Sequence, residues 1–239
     1  MKGKVYLVGA GVLGVDNLTI RAYNLIKEAD VILYDRLVDP SVLKLARQGA
    51  ETIFVGKEPG DDPEKQVELT DLMISYSKSG KTVVRLKSGD PFIFGRGGEE
   101  LLSLREAGID VEVVPGLTSA IAIPTIAGIP LTMRHLSSSV LILTGHLANA
   151  DGGRYIREHA RFPGTMVLLM SLSNLSLIAK YLVEGGMSPE RPVAVITSVG
   201  GSERLKKEFL KLGGLVNADY RREGPGVVVI GEVVEEFGH

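Results

Sequence analysis

The sequence predicts an α/β protein built as two α/β domains with a ligand cleft between them. Two observations carry this: short β-branched runs alternate with stretches of helical periodicity, and the regular alternation breaks after Pro115. A third is that the longest glycine-rich loop follows directly on one of those apolar runs, Val83-Val84-Arg85-Leu86. Open α/β sheets bind ligands at the carboxyl ends of their strands. That loop is therefore the first place to look for a site.

Taken in order, Lys4 to Val8 reads as a strand, followed by Gly9-Ala10-Gly11-Val12-Leu13-Gly14 and a helix with apolar residues at Leu18, Ala22, Leu25, Ile26 and Ala29. Val31 to Tyr34 is a second strand, ending in Asp35-Arg36, and Thr52 to Val55 a third, before Gly56-Lys57. A helix around Leu69 to Tyr76 leads to the strand Thr82 to Leu86; a helix from Glu99 to Ala107 leads to Val111 to Val114. Such alternation implies a mainly parallel sheet. The first domain is expected over residues 1–115. Residues 116–138, with a small-residue helix start at Thr118-Ser119 and the turn formers Gly128 and Pro130, read as a linker and helix. Residues 139–239 form the second domain. Its strands start at Ser139, Thr165, Val193 and Val227, with a helix over Leu175 to Leu182; Gly200-Gly201, Gly213-Gly214 and Pro225 interrupt the alternation, so mixed pairing is expected there.

The loop Ser88-Gly89-Asp90-Pro91-Phe92-Ile93-Phe94-Gly95-Arg96-Gly97-Gly98-Glu99 mixes glycines with both signs of charge. Glycines let backbone amides approach a ligand, but the Gly-x-x-x-x-Gly-Lys-Ser/Thr phosphate cradle is absent and Asp90 would repel a polyphosphate. The composition suits a zwitterionic or cationic cofactor carrying an amino acid and a ribose; a tight strand-to-helix turn is the alternative.

The composition narrows the function further. The chain has no cysteine, so disulfides, thiolate metal sites and cysteine nucleophiles are excluded. His135, His146, His159 and His239 lack metal-ligand spacing, so no metal is expected. A net charge of -2 with interleaved signs gives no general attraction for nucleic acid. Neither a signal peptide nor an apolar run of about 18 residues is present, which predicts a cytoplasmic protein with no membrane partner.

Gly9, Gly11 and Gly14 satisfy Gly-x-Gly-x-x-Gly after a strand, and Asp35 ends the next one, as in an NAD-binding fold. There, however, the helix opens inside the glycine run. Here the capping residues Asp16-Asn17 come after Gly14 and periodicity starts at Leu18, so the glycines are expected to stay in a loop and NAD to be the weaker reading.

Asp35-Arg36-Leu37-Val38, Gly56-Lys57, the run from Arg85 to Glu100, Val113 to Ser119, Ala127 to Thr132 and Thr144-Gly145-His146 occur in one order that resembles the uroporphyrinogen-III C-methyltransferase branch of the tetrapyrrole methylases. The resemblance spans most of the chain. It implies a tetrapyrrole methylase-like fold, a homodimer, and use of S-adenosylmethionine to methylate uroporphyrinogen III at C2 and C7, giving precorrin-2 for sirohaem and cobalamin. A sister methylase acting on another corrin precursor is the alternative. By the same resemblance, Gly11, Val12, Ser88, Gly89, Asp90, Ile93, Thr118, Ser119, Met170 and Val199 would contact the cofactor. Asp35 would accept a proton, Lys57 would donate one, and Arg36 would assist them; Arg96, Glu99, Met133 and Arg134 would shape the substrate site. The chain departs from the family pattern at Val12 to Asn17, where two prolines and an acid are missing, and at Ser88, which replaces a glycine.

Overall fold

The computed structural model describes residues 3–56, 64–146, 152–198, 205–218 and 224–238. The chain divides into two compact units, Met1–Thr118 and Ser119–His239.

In the first unit, β1 (Val5–Gly9) leads through a 3-10 turn (Val15–Asn17) to α1 (Ile20–Glu28), β2 (Val31–Tyr34), the short α2 (Pro40–Leu43) and β3 (Glu51–Phe54). Then come α3 (Glu64–Lys78), β4 (Val83–Lys87), α4 (Gly97–Glu106) and β5 (Val111–Val114). All strand pairs are parallel, in the order β3-β2-β4-β1-β5. Both faces of the sheet are covered. Val8, Ile32, Val84 and Leu86 pack with Ala22, Leu25 and Ile26 of α1, whereas Val5, Leu7, Leu33 and Val83 pack with Leu69 and Met73 of α3 and Leu104 of α4. This two-sided burial is why the strands read as nearly continuous apolar runs. The cap of α1 falls on Thr19, whose Oγ1 accepts from the Ala22 amide at 3.1 Å, and not on Asp16 or Asn17. Those two residues belong to the separate 3-10 turn.

The second unit begins with α5 (Ser119–Ile126), which packs on β7 and β10 of its own sheet. It continues with β6 (Val140–Thr144), α6 (Gly152–Glu158), β7 (Thr165–Leu169), α7 (Leu175–Glu184), β8 (Pro192–Ser198), β9 (Leu205–Lys211), α8 (Leu212–Leu215), β10 (Gly226–Ile230) and α9 (Val233–Phe237). The order is β6-β7-β10-β8-β9, with β6 and β7 parallel and the other pairs antiparallel, which is the mixed pairing the interrupted alternation predicts. Strand β9 has no counterpart in the sequence reading. Its Lys206, Lys207, Glu208 and Lys211 hide the apolar pattern, because a strand at a sheet edge can leave charged side chains in solvent. Among the described residues, no helix is long and apolar enough to cross a membrane.

Candidate active site

In the first sheet β4 lies between β1 and β2, so the loops leaving β1, β4 and β5 start side by side at the carboxyl edge. They are locked together by backbone. Gly11 and Gly89 exchange hydrogen bonds of 3.1 and 2.8 Å, and the Ala10 amide donates to the Lys87 carbonyl at 2.7 Å. The Asp90 carboxylate joins the third loop, accepting from the Gly116 amide at 3.1 Å through Oδ2 and from the Phe92 amide at 2.9 Å through Oδ1. A carboxylate has about four acceptor positions, so both oxygens retain capacity for a ligand.

Only glycine fits where these loops meet. A Cβ on Gly9 would lie 2.5 Å from the Gly116 nitrogen and 2.6 Å from the Gly89 oxygen; one on Gly116 would lie 2.2 Å from that oxygen. The floor of the site is thus bare main chain. Beyond it, the loop turns tightly: the Gly97 amide donates to the Pro91 carbonyl, and Phe94 and Arg96 have φ of 52° and 57°. Left-handed backbone at two non-glycine residues is stored strain of the kind found at ligand clamps. Ser88 and Val12 are half-buried beside this floor, while Ile93, Arg96 and Glu99 are exposed.

Asp35 follows β2 and therefore flanks β4, not β1; its amide donates to the Leu86 carbonyl at 3.3 Å. This separates it from the glycine loop after β1, and α1 starts only at Ile20, so the dinucleotide arrangement is absent. Its carboxylate instead meets Arg85 at 2.5 Å and Lys87 at 3.9 Å. Both cations also reach Glu100 Oε1, at 3.3 and 2.9 Å. Desolvation by burial, and then the like charge of Arg85, push the Lys87 ammonium below its ordinary value; Glu100 and Asp35 oppose that.

Arg36 is exposed in the turn after Asp35. In the second unit, Met133 and Arg134 are exposed in a turn closed by the Met133–Ser137 bridge. Met170, just past β7, is also exposed and left-handed, with φ of 52°. Thr118 and Ser119 stand at the junction of the two units. Lys57 and Val199 lie outside the described residues. The structure thus gathers Gly11, Val12, Ser88, Gly89 and Asp90 at one edge, with Asp35 two strands away from β1. Sequence reasoning weighed Gly9 only in the NAD-like motif, and gave no site role to Gly116 or to the Arg85, Lys87 and Glu100 group. The available indication was two cations at i and i+2 inside a run otherwise fit for burial on both faces.

The family described as Tetrapyrrole (Corrin/Porphyrin) Methylases matches residues 4–211, and the chain belongs to it. It is 43% identical over 237 residues to the uroporphyrinogen-III C-methyltransferase of Methanocaldococcus jannaschii, covering 98% of both chains. It is also 43% identical over 235 residues to the siroheme synthase of Acinetobacter baylyi, where it spans 98% of this chain and about half, 51%, of that longer protein. Among solved structures, the uroporphyrin-III C-methyl transferase of Thermus thermophilus complexed with S-adenyl homocysteine superposes with a TM-score of 0.84 at 39% identity, covering 98% of this chain and 100% of that one.

Proposed function

We propose that this chain transfers methyl groups from S-adenosylmethionine to C2 and C7 of uroporphyrinogen III, giving precorrin-2 for sirohaem and cobalamin. The observation that carries the reading is the glycine floor formed by Gly9, Gly89 and Gly116, closed by Asp90, in a chain that aligns end to end with a methyltransferase of that substrate. The residues fit such a cofactor: a floor without side chains offers main-chain donors and acceptors to an amino acid and a ribose, and Asp90 favours its positive charge. When bound, S-adenosylmethionine would supply an electrophilic methyl group open to in-line attack by an electron-rich pyrrole carbon, with S-adenosylhomocysteine as the leaving group.

The work left to the protein is orientation and charge. Gly11, Val12, Ser88, Gly89, Asp90 and Ile93 hold the cofactor in this reading, with Thr118, Ser119, Met170 and Val199 completing the set. Uroporphyrinogen III carries eight carboxylates. Arg36, Arg96 and Arg134 are exposed, make no ion pairs among the described residues, and offer the planar fork that binds carboxylates bidentately. Glu99 and Met133 border that substrate surface. Asp35 takes the proton that leaves carbon after methyl transfer, Lys57 returns one, and Arg36 holds a substrate carboxylate beside them. We place the enzyme in the cytoplasm as a homodimer, as the family resemblance implies. Domain bounds of 1–115 and 139–239 joined by 116–138 belong to the same reading.

Incubation with uroporphyrinogen III and labelled S-adenosylmethionine tests it. Mono- and dimethylated tetrapyrrole are the expected products. Absence of both, from protein whose melting temperature rises with S-adenosylhomocysteine as mass action requires, would leave a binding protein or a methylase of another substrate.

A further inference from the structure

We infer that Lys87, Arg85 and Glu100 form a buried positioning network that aims and tunes the Asp35 carboxylate, an inference that rests on the proposed role of Asp35 as proton acceptor. The four side chains span three elements. Arg85 and Lys87 project from β4 on one face, Glu100 enters from the first turn of α4, and Asp35 comes from the end of β2. Three of them are sealed: side-chain exposure is 4% for Arg85, 3% for Lys87 and 1% for Glu100. Asp35, at 30%, is the member that reaches solvent and hence a substrate.

The bonding has a direction. Glu100 Oε1 receives Arg85 Nε and Lys87 Nζ together, which fixes both cations from behind. Arg85 then turns Nη2 onto Asp35 Oδ1 and places Nη1 near the Leu33 and Leu86 carbonyls. Lys87 lies 3.9 Å from the other oxygen, Asp35 Oδ2. The carboxylate is anchored at Oδ1 by the Arg85 hydrogen bond, with the Lys87 charge facing Oδ2. Stability does not account for this arrangement, because burying two ion pairs in place of well-packed apolar side chains is neutral or unfavourable. Positioning does, since a displacement of about 1 Å in a reacting group can lower a rate by about a hundredfold. Among the described residues, the ion-pair partners of Asp35 are Arg85 and Lys87 from β4; Glu100 from α4 stands behind them, and Arg36 follows in Asp35's own turn.

Double-mutant kinetics and pH profiles of the full chain, with uroporphyrinogen III and S-adenosylmethionine, test the network. Asp35→Asn is expected to lower kcat strongly. Lys87→Met is expected to lower kcat by about tenfold in the wild-type background and by less than about twofold in Asp35→Asn, because residues acting through one group are not additive. The acid limb of the kcat profile separates tuning from simple damage. Lys87→Met removes a cation beside Asp35 and leaves Glu100 charged, so the limb moves to higher pH; Glu100→Gln removes the anion behind the cations, so it moves to lower pH, each by about half a unit or more. Glu100→Gln, close in shape to the native side chain, runs the same cycle should Lys87→Met not fold. Equal losses in both backgrounds with an unmoved acid limb would overturn the inference while Asp35 kept its role. A wild-type kcat in Asp35→Asn would overturn the role of Asp35 and the network with it.

Discussion

The two five-stranded sheets of this chain use their central strands in opposite ways. β4 of the first sheet buries Arg85 and Lys87 among Val83, Val84 and Leu86, whereas the interior strands β7, β8 and β10 of the second unit bury Val, Leu, Ile, Met and Ala and leave ionised side chains to the edge strand β9. The carboxyl edge of the first sheet adds a second contrast: a floor of three glycines whose backbones touch. The second sheet is organised as a core should be if its task is to hold shape. The first sheet departs from that pattern near Asp35 and Asp90. Buried charge and bare main chain are weak ways to gain stability, and strong ways to orient a ligand and a reacting group.

The contrast can be sharpened by substitution. The largest effect on stability is expected in the second unit from Leu168→Ala, which empties a fully buried position on β7; about 2–5 kcal/mol should be lost, read from the denaturation midpoint. A loss below about 1 kcal/mol would mean that this core is not continuous. Gly116→Ala, in the first unit, forces a Cβ to within 2.2 Å of the Gly89 carbonyl. The cost in stability should be smaller, about 1–3 kcal/mol, but the rise in melting temperature given by S-adenosylhomocysteine should vanish. An undiminished rise would remove the glycine floor from the cofactor site.

The smallest effect concerns Asp30, at the opposite edge of the first sheet. Its carboxylate accepts from the Thr82 amide at 2.7 Å and pairs with Arg47; the amide bond first, and the arginine after it, hold it below its ordinary value of 3.8. A depressed carboxylate contributes stability that is present above the unfolded value and lost as pH falls through the folded one. Wild type should therefore exceed Asp30→Asn by about 1 kcal/mol near neutral pH, and the gap should close below pH 3.8. A gap independent of pH, in parallel melts, would show that the charge of Asp30 contributes nothing.

Much of the architecture was legible in the chain itself. Runs such as Val31 to Tyr34 and Val111 to Val114 announce strands because β-branched side chains at short spacing suit a sheet buried on both faces. The glycine loops after β1 and β4 were equally visible, as was the break in alternation that marks mixed pairing in the second unit. Strand β9 was not, since its lysines satisfy no apolar pattern and its identity comes from pairing with β8.

What the amino-acid order determined by itself is therefore local: which segments extend, which coil, and where glycine and proline interrupt them, all set by interactions within a few residues. What only the tertiary structure decided is adjacency. The placing of β1 between β4 and β5 brings Gly9, Gly89 and Gly116 into contact, and the insertion of β4 between β1 and β2 separates Asp35 from the first glycine loop and joins it to Arg85, Lys87 and Glu100. Arg85 lies 50 residues along the chain from Asp35 and Lys87 lies 13 from Glu100, and no local pattern records which strand will lie beside which.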